Sequence, residues 1–173
     1  MTENEKEMMN TLLMDFTVDR ETSTVHVKKQ FQASQDLVWD AFTKSEILDQ
    51  WWAPLPWLAK TKFMEFREGG RWLYSMLGPE GEEHWALADY ISISPKTNFK
   101  LEDAFCDAEG NINMEWPRSN WNVSFSKNND ITTVSIEIRH ANIADLEKNI
   151  ELGFKEGFIM ALENLTKVLS LQK

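Results

Sequence analysis

The sequence predicts an α+β domain in which a curved seven-stranded antiparallel sheet wraps around a long C-terminal α-helix, with two short helices after the first strand. Three observations carry this reading. Between Lys60 and His140, strand-like segments follow one another across short turn sequences: Gly69-Gly70, Gly78-Pro79-Glu80-Gly81, Asp107-Ala108-Glu109-Gly110-Asn111 and Asn128-Asn129-Asp130. Connections that short join antiparallel neighbours. Beyond Asn142 there is no proline, and Leu146, Ile150, Phe154, Phe158, Ala161, Leu165 and Leu169 form one apolar stripe at helical spacing. A stripe of that length must be buried, and the concave face of a twisted sheet is the apolar surface large enough to bury it.

Residues 1–20 read as an N-terminal tail whose apolar patch, Leu12 to Phe16, is suited to docking; the domain proper takes residues 21–173. From Thr22 to Ala33, Val25, Val27, Phe31 and Ala33 share a face at period two, which predicts the first strand. Ser34 caps a helix from Gln35 to Thr43, where Leu37, Val38, Ala41 and Phe42 recur at helical spacing. Ser45 is placed to cap a second helix that runs through Trp51 or Trp52 and ends at Pro54-Leu55-Pro56. Strands are then expected over 60–67, 70–77, 83–93, 97–107, 119–127 and 131–140, followed by one continuous helix from Asn142 to Leu171. No repeat or low-complexity segment interrupts this order.

Composition narrows the function. The chain has 173 residues, the size of one domain, with 18 Lys plus Arg against 28 Asp plus Glu and a formal charge of −10. Nothing in it offers a basic face to neutralise phosphates, so neither nucleic acid nor an anionic membrane surface is an expected partner. A hydrophobic share of 42% with 8 Trp and 10 Phe supplies a core, so the acidity reads as solubility. The single cysteine, Cys106, excludes an internal disulfide and a thiolate-rich metal site. With no leader-like N-terminus and no apolar run near the ~18–20 residues a membrane span needs, it points to a cytoplasmic address.

Motifs for chemistry are sparse. His26, His84 and His140 fall on different strands without metal-ligand spacing, and no phosphate-binding glycine loop, Gly-x-Ser-x-Gly elbow or dinucleotide fingerprint occurs. No metal or cofactor is therefore expected. Cys106 lies beside Asp107 with no flanking Lys or Arg, which disfavours a thiolate and makes it a passive strand residue. Arg71, His84, Asp89, Tyr90, Asp103 and Glu115 are the polar groups that would orient a ligand if they face inward.

The predicted order of elements is the helix-grip arrangement, and local sequence sharpens the match. Val38-Trp39-Asp40-Ala41-Phe42-Thr43, Leu48-Asp49-Gln50-Trp51-Trp52-Ala53-Pro54, Phe66-Arg67-Glu68-Gly69-Gly70-Arg71-Trp72 with Tyr74 and Met76, and the ending around Gly153-Phe154 and Gly157-Phe158 carry it. On these residues the chain resembles the START-like superfamily. Within it the chain is similar to bacterial proteins like the C-terminal domain of the heat-shock-protein-90 ATPase activator. The resemblance runs from about residue 20 to 170. It implies a cavity between sheet and terminal helix that takes a small hydrophobic or amphipathic molecule, as in a non-catalytic carrier or sensor. A polyketide cyclase-like enzyme using Tyr90 and Asp103, and a chaperone ATPase co-regulator, are the alternatives it brings. The eukaryotic activator has a further N-terminal domain where this sequence has a short acidic tail, and that departure argues against a direct chaperone contact.

Trp51, Trp52, Trp72, Tyr74, Met76, Tyr90, Trp121, Phe125, Phe154 and Phe158 are the expected ligand-binding residues. Alternation puts Trp72, Tyr74 and Met76 on one face of their strand, and Trp121, Val123 and Phe125 on one face of theirs. The same side chains would otherwise fill a solid core. Gly153 and Gly157, four apart on one helix face, read as close packing onto the sheet or as room for a ligand. An open strand edge or the N-terminal apolar patch would support a homodimer.

Overall fold

The computed structural model describes residues 2–4 and 12–172. Its elements are β1 (Met14–Asp19), β2 (Thr24–Phe31), α1 (Gln35–Thr43), α2 (Ser45–Trp51), β3 (Leu58–Met64), β4 (Arg71–Leu77), β5 (Glu83–Ser94), β6 (Asn98–Cys106), β7 (Ser119–Asn128), β8 (Ile131–His140), α3 (Ile143–Glu151) and α4 (Phe154–Leu171). The strands form one antiparallel sheet in the order β1-β2-β8-β7-β6-β5-β4-β3. Consecutive hairpins build β3 to β8, and the longer α1–α2 connection lets β2 lie beside β8. Register breaks at Thr61/Phe63 in β3 and Tyr90/Ser92 in β5 add the local bend that curls the sheet.

Period-two alternation sorts the side chains. Val25, Val27 and Phe31 of β2, Val134, Ile136 and Ile138 of β8, and Trp121, Val123 and Phe125 of β7 are all buried on the concave face. The convex face of β4–β6 has a smaller apolar cluster, Leu73, Leu87 and Ala104, against which Trp85, Cys106 and Ile112 pack. Ser34 caps α1 by accepting a hydrogen bond from the Leu37 amide at 3.2 Å. Ser45 does not cap α2: it is the first helical residue, and Lys44 before it makes no side-chain cap.

The sheet has eight strands where seven were expected, because part of the presumed tail is a strand. Met14, Phe16 and Val18 alternate with Asp15, Thr17 and Asp19, and they pair with β2 from Met14↔Lys29 to Asp19↔Thr24. The Phe16 ring lies 6.2 Å from that of Phe154, and Arg20 makes an ion pair with Glu147 on α3. The earlier part of the tail, residues 5–11, lies outside the described residues.

The terminal helix is long but not continuous. Asn142 accepts from the Asp145 amide at 2.9 Å to start α3, as its sequence position suggests. The helix stops at Leu152, Gly153 adopts φ 86°, and α4 starts at Phe154. A left-handed residue turns the chain out of the helical path, and glycine adopts it without the clash a Cβ would bring. The apolar stripe survives the break: Leu146, Phe158, Ala161, Leu165 and Leu169 are buried, and Ile150 and Phe154 pack against the same core.

Gly153 at the break and Gly157 inside α4 should therefore respond oppositely to alanine. At Gly153 a Cβ meets no atom within 4 Å, so the loss comes from backbone strain alone. We expect Gly153→Ala to lower stability by about 1–2 kcal/mol. At Gly157 a Cβ would make ordinary contact with Pro54 Cγ at 3.6 Å, and Gly157→Ala should raise stability by about 0.5–1 kcal/mol. Urea unfolding midpoints of the two variants check both signs.

Candidate functional site

Between the sheet and the first half of α4 the packing opens into a cavity of about 310 Å³. The pleat decides what lines it. Trp72, Tyr74 and Met76 come from β4, Ala88 and Tyr90 from β5, Phe99, Leu101 and Asp103 from β6, and Ser119, Trp121 and Val123 from β7. Phe42 of α1, Leu48 of α2, Trp52 just after α2, and Phe154, Gly157 and Phe158 of α4 close the other side. His84, Phe105, Pro117, Asn149 and Leu152 also line it, and His84, Phe105 and Leu152 are exposed to solvent.

Trp52 is the hub of the wall. Its ring centroid lies 5.5 Å from that of Trp72, 5.8 Å from Trp121 and 5.9 Å from Phe158, and its indole Nε1 donates to the Tyr74 hydroxyl at 3.0 Å. Trp72 stacks on Tyr74 and donates through Nε1 to Thr61 Oγ1, whose own hydroxyl bonds Asp49 at 2.6 Å. The indole N–H groups of Trp52 and Trp72 thus already have partners within the protein, leaving their rings for apolar contact.

Eight of the ten expected ligand-binding residues line the cavity: Trp52, Trp72, Tyr74, Met76, Tyr90, Trp121, Phe154 and Phe158. Trp51 and Phe125 do not. Trp51 is one helical step, about 100°, from Trp52; it faces α1, donating to the Ala41 carbonyl at 2.9 Å and meeting Phe42 edge-on at 4.9 Å. Phe125 lies one inward position beyond Val123, under α1, where its ring meets Trp39 at 5.1 Å and Phe42 at 5.5 Å. Ser119 belongs to no sequence motif, although its period-two spacing from Trp121 places it on the same face.

The polar candidates divide between the two faces. Arg71 and Asp89 pair on the convex side through Nε–Oδ1 at 2.6 Å and Nη2–Oδ2 at 3.1 Å, and Arg118 Nη2 bonds the same carboxylate at 2.9 Å. Burial pushes the Asp89 carboxyl up, but the two guanidinium groups outweigh it and hold it below the usual range. Glu115 is exposed in the β6–β7 loop, and His84 stacks on Trp57 with centroids 5.5 Å apart. Tyr90 and Asp103 face the cavity.

Asp103 is held from within the wall. Its Oδ1 accepts from the Ser119 amide at 2.8 Å and the Ser119 hydroxyl at 2.7 Å, while Oδ2 accepts from Trp121 Nε1 at 2.9 Å. Burial raises its pKa more than these donors lower it. Burial likewise pushes the Tyr74 and Tyr90 hydroxyls up. Tyr90, 3% exposed, makes no side-chain hydrogen bond among the described residues. His140 sits across from Ser119 in the β7–β8 register, 4% exposed, and neither ring nitrogen has a partner among the described residues. Burial lowers its pKa against the pull of Asp103 and Asp145.

Two chemical outcomes follow. A His140 proton is taken up more readily by the unfolded chain, so stability falls as pH drops through about 6.5. His140→Phe should lose less melting temperature than the wild type between about pH 7.5 and about pH 5.5. Burial, then Asp107, push the Cys106 thiol up to about 11. Iodoacetamide at about pH 8 should label it on the order of a hundredfold more slowly than in the urea-unfolded chain.

The family model described as Activator of Hsp90 ATPase homolog 1-like protein matches residues 32–170, which hold every cavity-lining side chain. A solved structure from Arthrobacter aurescens is 26% identical, with a TM-score of 0.86 over 90% of this chain and 91% of that one. One from Mycobacterium smegmatis is 24% identical, with a TM-score of 0.84 over 91% and 96%. One from Staphylococcus epidermidis is 21% identical, with a TM-score of 0.80 over 91% and 95%. No curated protein sequence matches the chain. Among the described residues no helix is long and apolar enough to cross a membrane. With the family model covering most of its length and the eight-stranded sheet gripping a long terminal helix, the chain belongs to the Activator of Hsp90 ATPase homolog 1-like family and has its START-like helix-grip fold.

Proposed function

We propose that the protein binds a small apolar or amphipathic molecule between sheet and α4 and serves as its carrier or sensor in the cytoplasm. The supporting observation is the cavity of about 310 Å³, whose wall is rich in tryptophan, tyrosine and phenylalanine. Protein interiors pack as densely as organic crystals, and pockets of about 300–1,000 Å³ with few polar groups are the usual form of small-molecule sites. Tyr90, a buried residue that lines the cavity and makes no side-chain hydrogen bond among the described residues, gives such a molecule a polar handle.

Filling the cavity should abolish binding while sparing the fold. Ala88 is buried in the β5 wall, and Gly157 has room on its cavity side before Pro54. Native mass spectrometry after exposure to a bacterial lipid and metabolite extract should show a stoichiometric adduct on the wild type. Ala88→Leu and Gly157→Leu should lose it while retaining cooperative thermal unfolding. A bare protein mass from every extract, or adducts unchanged in both variants, overturns the reading.

A further inference from the structure

The cavity lining contains one aspartate, Asp103, and no glutamate, lysine or arginine. Both Asp103 oxygens accept from N–H groups that have no capacity to accept in return, the Ser119 amide at 2.8 Å and the Trp121 indole at 2.9 Å. Fixed donors on both oxygens suit an ionised carboxylate, which has about four acceptor sites. The Ser119 hydroxyl at 2.7 Å takes a third, which leaves one on Oδ2.

That carboxylate has no ion-pair partner among the described residues. The Arg118 guanidinium approaches from behind the strand, where Nε donates to the Asp103 backbone carbonyl at 3.0 Å and the charge is matched to Asp89 and Glu102. His140 is near but buried, and burial favours its neutral form. The same wall includes the aromatic rings of Trp52, Trp72, Trp121, Tyr74 and Phe158. Aromatic faces carry a negative quadrupole that attracts cations, most strongly where water is excluded. A net charge of −10 enriches cations around the whole chain. A buried carboxylate without a counter-ion carries a desolvation penalty that a bound cation offsets.

Resting on the ligand-binding reading above, we infer that the cavity is a site for an apolar organic cation, whose ammonium group meets Asp103 and whose hydrocarbon part lies among the tryptophan rings. Fatty acids and other apolar anions are disfavoured, because their carboxylate would face Asp103 with no lysine or arginine in the lining to receive it.

Three probes of one skeleton test the assignment by calorimetry on the full chain: phenylbutylamine, phenylbutanol and phenylbutyrate. The amine should bind about tenfold or more tightly than the alcohol, and the acid most weakly. Asp103→Asn, which keeps an acceptor for Ser119 or Trp121, should bring the amine to within about twofold of the alcohol while leaving the alcohol unchanged. The wild-type ranking decides the matter even where the variant fails to fold. An alcohol equal to or tighter than the amine, or a preferred acid, overturns the cation assignment and leaves the ligand-binding reading standing. Failure of all three probes overturns the assignment too; an extract adduct that persists then preserves ligand binding, and its absence removes both.

Discussion

The apolar stripe of α4 has to be buried against a surface it is too narrow to cover, and the rest of the interior is arranged around that mismatch. Eight strands at a spacing of about 4.8 Å make a sheet roughly 34 Å across, whereas a helix with its side chains is about 10–12 Å wide. The second half of α4 solves the problem by direct packing: Ala161, Leu162 and Leu165 are at most 1% exposed, and Leu169 is 3% exposed. α1 covers the neighbouring part of the sheet with Trp39 and Phe42 packed edge-on to Phe125. The first half of α4 presents Phe154, Gly157 and Phe158 to the β4–β7 side, and there the gap is left open. The cavity is thus a consequence of where the helix has bulk and where it has glycine.

The break at Gly153 belongs to the same geometry. A straight helix from Asn142 to Leu171 would carry α3 along the axis of α4. The left-handed glycine redirects α3, so that Leu146 is fully buried and Lys148 lies over the Trp116 ring at 4.4 Å. Leu152 is left 54% exposed, and both it and Asn149 line the cavity. The wall therefore depends on a single backbone conformation in one residue and on aromatic contacts centred on Trp52, which belongs to the α2 end rather than to the sheet.

Much of this was legible in the sequence because it is periodic. The strands β4 to β8 have alternating apolar residues and turn chemistry at their ends, and the inward positions of Trp72, Tyr74 and Trp121 follow from that alternation. Three features were harder to read. Met14–Asp19 alternates too, but an acidic sequence without hydrophobic period precedes it, and its partner is β2, which lies next in sequence across a tight turn. The helix break has a glycine as its signal, yet a glycine at that place fits equally well inside a closely packed helix. Trp51 and Trp52 are adjacent and chemically identical, and only the rotation of α2 decides that Trp51 bonds Ala41 while Trp52 reaches Tyr74. Asp103 was recognisable as a polar group in an apolar strand, but Ser119, which fixes it, comes from a neighbour whose register no local pattern gives.

The charged residues on the convex face complete the account, because they hold the polar end of the cavity from outside. Arg71 bonds both oxygens of Asp89 and, through Nη1, the Gly110 carbonyl at 3.2 Å, so it ties the β6–β7 loop onto the sheet. Arg118, at the far end of that loop, bonds the same aspartate and the backbone carbonyl of Asp103. Pinning residue 118 directly to one carboxylate, and residue 110 to it through Arg71, confines the loop between them, which carries Trp116 to Lys148 and Pro117 to the cavity wall. The side chain of Asp103 is held on the concave side by Ser119 and Trp121, and its backbone on the convex side by Arg118. A half-buried ion cluster contributes little by its Coulomb energy alone. Its consequence here is geometric: it fixes a carboxylate that packing among apolar side chains alone would not orient.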